Sequence, residues 1–265
     1  MTDNKPTYRR IVVKVGSSIL VEKETIAFSR VAELCKLVTD LQKRYEVILV
    51  TSGAVAAGYT AQPLDKSFVP NKQALASLGQ PLLMHMYYTE FQKYGILCSQ
   101  LLLGAYDFDS RKRTVNASNT IEVLLAKQVV PIINENDATA LRELMFGDND
   151  RLSAYAAYYF KADLLVILSD IDGYYTANPR SSKDARMRLV VNNLTPAELQ
   201  EEATPNSHFA TGGIVTKLQA AHFLLERGKT MYLSSGFDLD TVRKFLFDGK
   251  HASGTLFCPV TAQPM

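Results

Sequence analysis

The sequence predicts an α/β protein whose mostly parallel sheet is covered by helices on both faces. Short, almost wholly apolar runs recur along the chain, and such runs are typical of strands buried on both faces. Longer segments with apolar residues at helical spacing lie between most of them. This alternation favours crossover connections between parallel strands. At 265 residues the chain is long enough for one large α/β domain or for two small ones. We interpret it as one domain with two lobes.

The predicted elements follow in order. Residues 11–15 form a buried strand, and a helix over about 25–45 repeats Val31, Leu34 and Val38 at helical spacing. A Gly/Ala-rich turn follows the strand expected at 46–51, and a looser, turn-rich segment follows Asp170. The further strands are expected at 46–51, 96–103, 129–133, 164–168 and 230–234. The further helices are expected at about 72–94, 152–159, 213–227 and 239–247, with one more before the strand at 129–133.

Composition argues against several classes of function. Lysine and arginine total 29 against 27 acidic residues, for a net charge of +2, whereas nucleic-acid binders usually carry a basic stripe. The N-terminus lacks the apolar core of a signal peptide, and no apolar run approaches a membrane span. The three widely spaced cysteines have no metal-type spacing. We expect a cytoplasmic protein with no nucleic-acid partner and no membrane association.

Short acids and amides are concentrated between residues 134 and 151. The run Asn134-Glu135-Asn136-Asp137 follows a predicted strand, and Gly147-Asp148-Asn149-Asp150 precedes a predicted helix. Ligands of open α/β sheets bind at the carboxyl ends of strands, and carboxylates with amides suit an amino acid that carries both signs of charge. Asx-rich stretches are also ordinary turns, so the pattern alone leaves both interpretations open.

Glycine-bearing turns offer sites for phosphate. They lie around Gly16, around Gly53 and at 211–213, each beside a strand end or a helix start, where backbone N–H groups approach anions closely. The Walker, dinucleotide and serine-hydrolase motifs are not matched; for example, Tyr59 stands where a P-loop requires lysine. Two lysines stand out: Lys14 inside an apolar strand, and Lys217 one turn after the 211–213 turn. Such lysines could neutralise a transferred phosphoryl group, or they could simply reach solvent.

Together these segments resemble the amino acid kinase superfamily, and within it the glutamate 5-kinase family. The matching motifs cover almost the whole chain in the family's order, and the acid-and-amide pair is the most specific of them. The motifs are 13–18 (VKVGSS), 50–58 (VTSGAVAAG), 131–137 (PIINEND), 147–154 (GDNDRLSA), 168–170 (LSD), 173–180 (GYYTANPR), 211–221 (TGGIVTKLQAA) and 254–257 (GTLF).

The resemblance implies a three-layer αβα sandwich with a mainly parallel central sheet, and ATP-dependent phosphorylation of the side-chain carboxylate of L-glutamate, the first step of proline synthesis. By the same resemblance, Lys14 and Lys217 stabilise the transferred phosphoryl group and Asp150 holds the two lysines. The implied glutamate-binding residues are Ser52, Asn134, Asp137 and Asn149. The implied ATP-binding residues are Lys14, Gly16, Ser169, Asp170, Tyr175, Thr211, Gly212, Gly213, Ile214, Val215, Thr216 and Lys217.

The resemblance also implies cofactors and partners. Mg²⁺ accompanies ATP, bound mainly by phosphates and water rather than by a protein metal site. Proline is an expected inhibitor acting through the segment 59–72, whose length suits a mobile lid. A homo-oligomer is expected, with the 72–94 helix as a candidate interface or as plain core. Hand-over of the unstable product to glutamate-5-semialdehyde dehydrogenase is also expected.

Two substitutions depart from the family pattern: Ser169 replaces a common threonine and Ile214 replaces a common methionine. The chain ends soon after residue 257, so we expect one kinase domain over 1–265 without the PUA domain that many bacterial members carry. Its substrate-side lobe is expected over about 1–165 and its nucleotide-side lobe over about 166–260. The alternatives are another acyl-phosphate-forming kinase of the superfamily, a non-catalytic sensor on the same fold and, less favoured, an RNA-binding protein.

Overall fold

The computed structural model describes residues 8–139, 149–179, 181–200 and 213–260. Over these ranges an eight-stranded sheet has the order β5-β6-β4-β1-β7-β9-β10-β8, and a separate β2–β3 hairpin lies outside it. The strands are β1 Arg10–Val15, β2 Val21–Glu22, β3 Thr25–Ile26, β4 Glu46–Val50, β5 Cys98–Leu103, β6 Val130–Glu135, β7 Leu164–Ser169, β8 Val190–Val191, β9 Thr230–Ser235 and β10 Thr255–Phe257.

The helices cover both faces of the sheet. They are α1 Ser17–Leu20, α2 Phe28–Gln42, α3 Ala54–Ala61, α4 Val69–Gln92, α5 Ala105–Asp109, α6 Arg111–Ala126, α7 Asn149–Tyr159, α8 Pro196–Gln200, α9 Ile214–Leu225 and α10 Leu239–Asp248.

The sheet pairs parallel everywhere except between β9 and β10. β1 lies in its middle, with Lys14 opposite Val50 of β4 and Ile167 of β7. The chain builds β4, β6 and β5 on one side of β1 and then β7 and β9 on the other. β1 therefore marks the point where strand order reverses, and ligands of such sheets bind at the carboxyl ends of the strands there.

Alternation along β1 divides the core into two halves. Ile11, Val13 and Val15 belong to one buried cluster, together with apolar side chains of α2, α4 and α10. Val12 belongs to the other cluster, with side chains of α6, α7 and α9. Because successive side chains of a strand point to opposite faces, Lys14 faces the same layer as Val12. The predicted αβα layers with a mainly parallel sheet are confirmed.

Several predicted boundaries were wrong. The helix expected over about 25–45 begins at Phe28, because Thr25 and Ile26 pair with β2 in the hairpin. The Gly/Ala-rich turn after β4 is instead helix α3, whose small residues pack closely against α4. The expected 59–72 lid is shorter, since α3 continues to Ala61 and α4 begins at Val69. Helix α7 begins at Asn149 rather than at 152.

No helix among the described residues is both long enough and apolar enough to cross a membrane.

Candidate active site

A buried carboxylate joins two buried lysines beneath the carboxyl end of β1. Asp150 Oδ1 lies 2.7 Å from Lys14 Nζ, and Asp150 Oδ2 lies 3.0 Å from Lys217 Nζ. The relative exposures of Lys14, Asp150 and Lys217 are 1%, 0% and 3%. Burying three charged groups this deeply costs desolvation free energy unless the groups pair with one another or with a ligand. Two ammonium groups around one carboxylate carry a net positive charge, which suits a phosphoryl anion.

Local structure explains why these residues meet. The alternation of β1 directs Lys14 toward the layer of α7 and α9. Asp150 lies in the first turn of α7, where a carboxylate also complements the helix dipole. Lys217 lies in the second turn of α9, which begins at Ile214. The predicted grouping of Lys14, Asp150 and Lys217 is thus present in the structure.

Thr216 adds a contact that the sequence did not indicate. Its hydroxyl lies 2.9 Å from Asp150 Oδ2 and also 2.9 Å from the carbonyl oxygen of Gly213. The hydroxyl of Ser153 donates to the backbone carbonyl of Asp150 at 2.7 Å. The carboxylate is therefore restrained from several sides, and both of its oxygens face cations.

A second polar cluster lies at the ends of β4 and β6. The amide nitrogen of Asn149 donates to Ser52 Oγ at 3.0 Å and to Asn134 Oδ1 at 2.8 Å, and it also contacts the carbonyl oxygen of Thr51. Asn149 and Asp150 are consecutive in α7, so the two clusters share one helix turn. Three of the four predicted glutamate-binding residues, Ser52, Asn134 and Asn149, are thereby brought together.

Asp137 lies in the turn after β6 and is partly buried. Burial raises the pKa of this carboxyl to about 6, because desolvation disfavours the charged form. No hydrogen bond described here connects Asp137 to Asn149 or Ser52. Its predicted role in substrate binding stays a prediction, and a substrate ammonium group would lower this pKa again.

The glycine turns lie where the sequence suggested. Gly16 follows β1, and a Cβ placed on it would lie 3.7 Å from Lys14 Nζ, so its backbone borders the lysine cluster. Gly53 precedes α3 with φ of 103°, a left-handed conformation that favours glycine. Gly213 caps the N-terminus of α9, with Ile214 and Val215 in the first turn. Thr211 and Gly212 lie outside the described residues, as do Gly147 and Asp148.

The remaining predicted nucleotide residues follow β7. Ser169 is buried at its end, and its hydroxyl donates to Asp170 Oδ1 at 3.0 Å. Tyr175 places its hydroxyl 3.1 Å from both carboxylate oxygens of Asp172. Burial raises the pKa of the Tyr175 hydroxyl, and the hydrogen-bonded carboxylate of Asp172 raises it further. None of the hydrogen bonds described for Tyr175 joins it to the lysines, so its predicted place near a nucleotide is untested.

Sequence reasoning missed Gln80. This residue of α4 is 7% exposed, and its Oε1 accepts from Asn134 Nδ2 at 2.8 Å. One feature of the sequence could have indicated it. Gln80 is a polar residue on a helix face that otherwise carries Ala76, Leu83 and Tyr87 at helical spacing. Within the described residues, no group of three or more His, Cys, Asp or Glu side chains is arranged to hold a metal ion.

Comparison with known proteins agrees with this architecture. The profile of the amino acid kinase family matches residues 9–234. A protein of Leishmania donovani described as glutamate 5-kinase is 70% identical over 97% of this chain and 98% of its own length. One of Wolinella succinogenes with the same description is 61% identical over 94% of this chain and 97% of its own length. The chain therefore belongs to the amino acid kinase family and, within it, to the glutamate 5-kinases.

A solved structure of UMP kinase from Ureaplasma parvum matches with a TM-score of 0.65 and 14% identity, over 94% of this chain and 98% of that one. At this identity the likeness concerns the fold alone.

Proposed function

We propose that this chain transfers the γ-phosphoryl group of ATP to the side-chain carboxylate of L-glutamate, giving L-glutamyl 5-phosphate. The observation that carries this proposal is the buried Lys14–Asp150–Lys217 cluster, which shares the first turn of α7 with the amide cluster of Asn149. The lysine–aspartate cluster provides positive charge for a phosphoryl group, and the amide cluster provides hydrogen-bond donors and acceptors for an amino acid. Similarity to glutamate 5-kinases along nearly the whole chain supports the same substrate.

The reaction brings two anions together. A carboxylate oxygen of glutamate forms a bond to the γ-phosphorus, the bond from that phosphorus to the β–γ bridging oxygen breaks, and ADP leaves. Charge in a loose transition state spreads over the three equatorial phosphoryl oxygens. Lys14 and Lys217 lie on either side of Asp150 and are able to neutralise that charge from two directions. Asp150 orients both ammonium groups and does not exchange a proton in this scheme.

In this proposal, ATP binds on the side of β7 and α9. The Ser169–Asp170 strand end and the residues from Gly213 to Lys217 line this side, and the predicted Thr211 and Gly212 precede them. Backbone N–H groups at the start of an α-helix point out of its N-terminal end, so those of α9 suit phosphate oxygens. Mg²⁺ is proposed to arrive with ATP, held by phosphates and water, and to supply further charge neutralisation.

Trapping of the acyl phosphate tests this function. Purified protein with ATP, Mg²⁺, glutamate and hydroxylamine should form a hydroxamate, and omission of ATP, Mg²⁺ or glutamate should abolish it. Aspartate, N-acetylglutamate and glutarate serve as competing acids in parallel reactions. ADP release with one of those acids, and no hydroxamate from glutamate, would overturn the proposal in favour of another kinase of the family.

Further expectations about partners remain proposals. Proline is proposed to inhibit by overlapping the glutamate site beside α3, although the irregular part between α3 and α4 spans only 62–68. Undiminished activity in millimolar proline would count against this. Oligomerisation through α4 and product hand-over to glutamate-5-semialdehyde dehydrogenase also rest on the family resemblance.

A cytoplasmic location is proposed as well, and three free cysteines are compatible with a reducing compartment. A single kinase domain is proposed over 1–265, with lobes meeting near residue 165. One sheet running through both lobes supports that proposal.

A further inference from the structure

A row of side-chain amides runs from the protein surface to the candidate glutamate site. Gln80 Nε2 donates to Oε1 of exposed Gln100 at 2.9 Å, and Asn134 Nδ2 donates to Gln80 Oε1 at 2.8 Å. Asn149 Nδ2 in turn donates to Asn134 Oδ1 at 2.8 Å. Gln80 and Asn134 are both buried. All three hydrogen bonds therefore run in the same direction. In each of them, the amide nearer the glutamate site donates and the amide nearer the surface accepts.

Backbone groups fix this direction at the inner end. The N–H of Glu135 donates to Asn134 Oδ1 at 2.9 Å, and an N–H group has no acceptor capacity, so an oxygen must face it. The amide nitrogen of Asn149 also faces the carbonyl oxygen of Thr51; because a carbonyl has no donor capacity, the nitrogen of Asn149 and not its oxygen lies on this side. The nitrogen of Asn134 is thereby left facing Gln80, which must present its oxygen.

Packing holds Gln80 at this position. A Cβ on neighbouring Gly79 would lie 1.8 Å from the carbonyl oxygen of Ala54 and 2.3 Å from the nitrogen of Gly58. Helices α3 and α4 thus touch backbone to backbone, and only glycine fits there. Two turns further along the same face of α4, the Tyr87 hydroxyl lies 2.6 Å from the Thr51 hydroxyl. The first contact fixes α4 against α3 and the second fixes it against the end of β4, and together they limit withdrawal of Gln80.

We propose that Gln80 is a positioning residue for the amino acid substrate. By accepting from Asn134 Nδ2, it acts together with the Glu135 N–H to hold the Asn134 amide in one orientation, and Asn134 together with the Thr51 carbonyl then holds the nitrogen of Asn149 inside the protein. The side-chain oxygen of Asn149 is left for the substrate, and none of the hydrogen bonds described for these residues engages it. Without the Gln80 acceptor, a turned Asn134 amide would present NH₂ to Asn149 and disturb that arrangement.

This inference rests on the proposed function, and steady-state kinetics of three variants test it. Gln80→Met removes the acceptor but keeps the length of the side chain. It should raise the KM for glutamate about tenfold, because a buried donor loses its partner. The kcat at saturating glutamate and the KM for ATP should stay within about threefold of the wild type. Gln92→Met, at the exposed end of the same helix, is the matched control and should leave all three constants unchanged.

Gln80→Glu separates hydrogen bonding from packing. A carboxylate retains an acceptor for Asn134, and exposed Gln100 is free to turn its NH₂ toward the other oxygen. The KM for glutamate should therefore be closer to the wild-type value in Gln80→Glu than in Gln80→Met. A role in packing alone predicts the opposite order, since a buried carboxylate is costlier than methionine among apolar neighbours.

The outcomes are distinct. A wild-type glutamate KM in Gln80→Met, a Glu variant worse than the Met variant, or a joint rise of the KM for glutamate and ATP would each overturn the inference. If Gln80→Met does not fold, Gln80→Asn takes its place, because its shorter amide falls short of Asn134 and should raise the same KM. Failure of the wild-type protein to form glutamate hydroxamate would instead refute the proposed function.

Discussion

Replacement of Lys217 by methionine tests the proposed transfer step most sharply among single substitutions. Methionine retains most of the length of the side chain and removes the ammonium group. Asp150 keeps its 2.7 Å ion pair with Lys14 and its contact with the Thr216 hydroxyl, so each oxygen of the buried carboxylate still has a partner. We therefore expect the variant to fold with a similar Tm.

The size of the effect follows from the burial of the group. Lys217 is 3% exposed, so water contributes little to screening. A unit charge about 4 Å from a phosphoryl oxygen contributes about 4 kcal/mol at an effective dielectric constant of about 20. Because about 1.4 kcal/mol corresponds to a tenfold change in rate, kcat should fall about 10³-fold. Loss of one preorganised donor in other active sites has a similar effect, about 10²–10³-fold.

The assay is glutamate-dependent hydroxamate formation at varied ATP and varied glutamate. An interaction made mainly in the transition state lowers kcat with little change in either KM. Lys36→Met, on the exposed surface of α2, is the matched control and should behave as the wild type. A Lys217→Met variant that keeps kcat within tenfold and shows only a raised KM for ATP would refute the reasoning, since Lys217 would then merely bind nucleotide.

Three further predictions follow from the same geometry. Asp150→Asn removes the carboxylate between two buried ammonium groups, so the free energy of unfolding in urea should fall by about 3–5 kcal/mol and activity should be lost. Asp137 has a pKa of about 6, so kcat/KM for glutamate should fall about tenfold per pH unit below 6, as the carboxylate that attracts the substrate ammonium is protonated. Gly79→Ala places a Cβ 1.8 Å from a backbone oxygen and should cost at least about 1–3 kcal/mol of stability.

Each of these has its own control. Asp248→Asn alters an exposed carboxylate at the end of α10 and should leave stability nearly unchanged; equal losses in the two Asn variants would contradict the first prediction. Asp137→Asn should remove the step in the pH profile, and persistence of that step would assign it to another group. Gly95→Ala, where a Cβ meets nothing within 4 Å but φ is 69°, should cost only about 1 kcal/mol; a larger loss there than at Gly79 would contradict the third.

Much of the fold was predictable because strands buried on both faces leave a strong signal. The strands at β1, β4, β7 and β9 were placed within one or two residues, since continuous apolar runs with turn residues after them leave few alternatives. Helix α3 was not predicted. Its residues Ala54–Ala61 are small and have glycine at position 58, so they resemble a turn; the tertiary contact with α4 decides the outcome.

The short strands were missed for a related reason. β8 has two residues and β10 has three, too few to show any periodicity. β10 runs antiparallel to β9, and an edge pairing of that kind depends on long-range contacts rather than on local pattern.

The candidate site was predictable in its residues but not in its geometry. An apolar strand with a lysine in it pointed to Lys14, and the family motifs pointed to Asp150 and Lys217. Their common contact depends on how α7 and α9 pack over β1, which no local pattern contains. Gln80 was missed because a single polar residue on a long apolar helix face looks like a boundary residue. Only the packing of α4 against α3 brings it to Asn134.

The fate of the side-chain oxygen of glutamate tests the central claim most directly. Glutamate labelled with ¹⁸O in its side-chain carboxylate is incubated with ATP, Mg²⁺ and the protein, without hydroxylamine. The unstable acyl phosphate then cyclises through its own amino group and releases phosphate. If the carboxylate attacks the γ-phosphorus, mass spectrometry of that phosphate will find one labelled oxygen, derived from the bridging position. Phosphate without label, released at the rate of ADP formation, would show that water and not glutamate accepts the phosphoryl group.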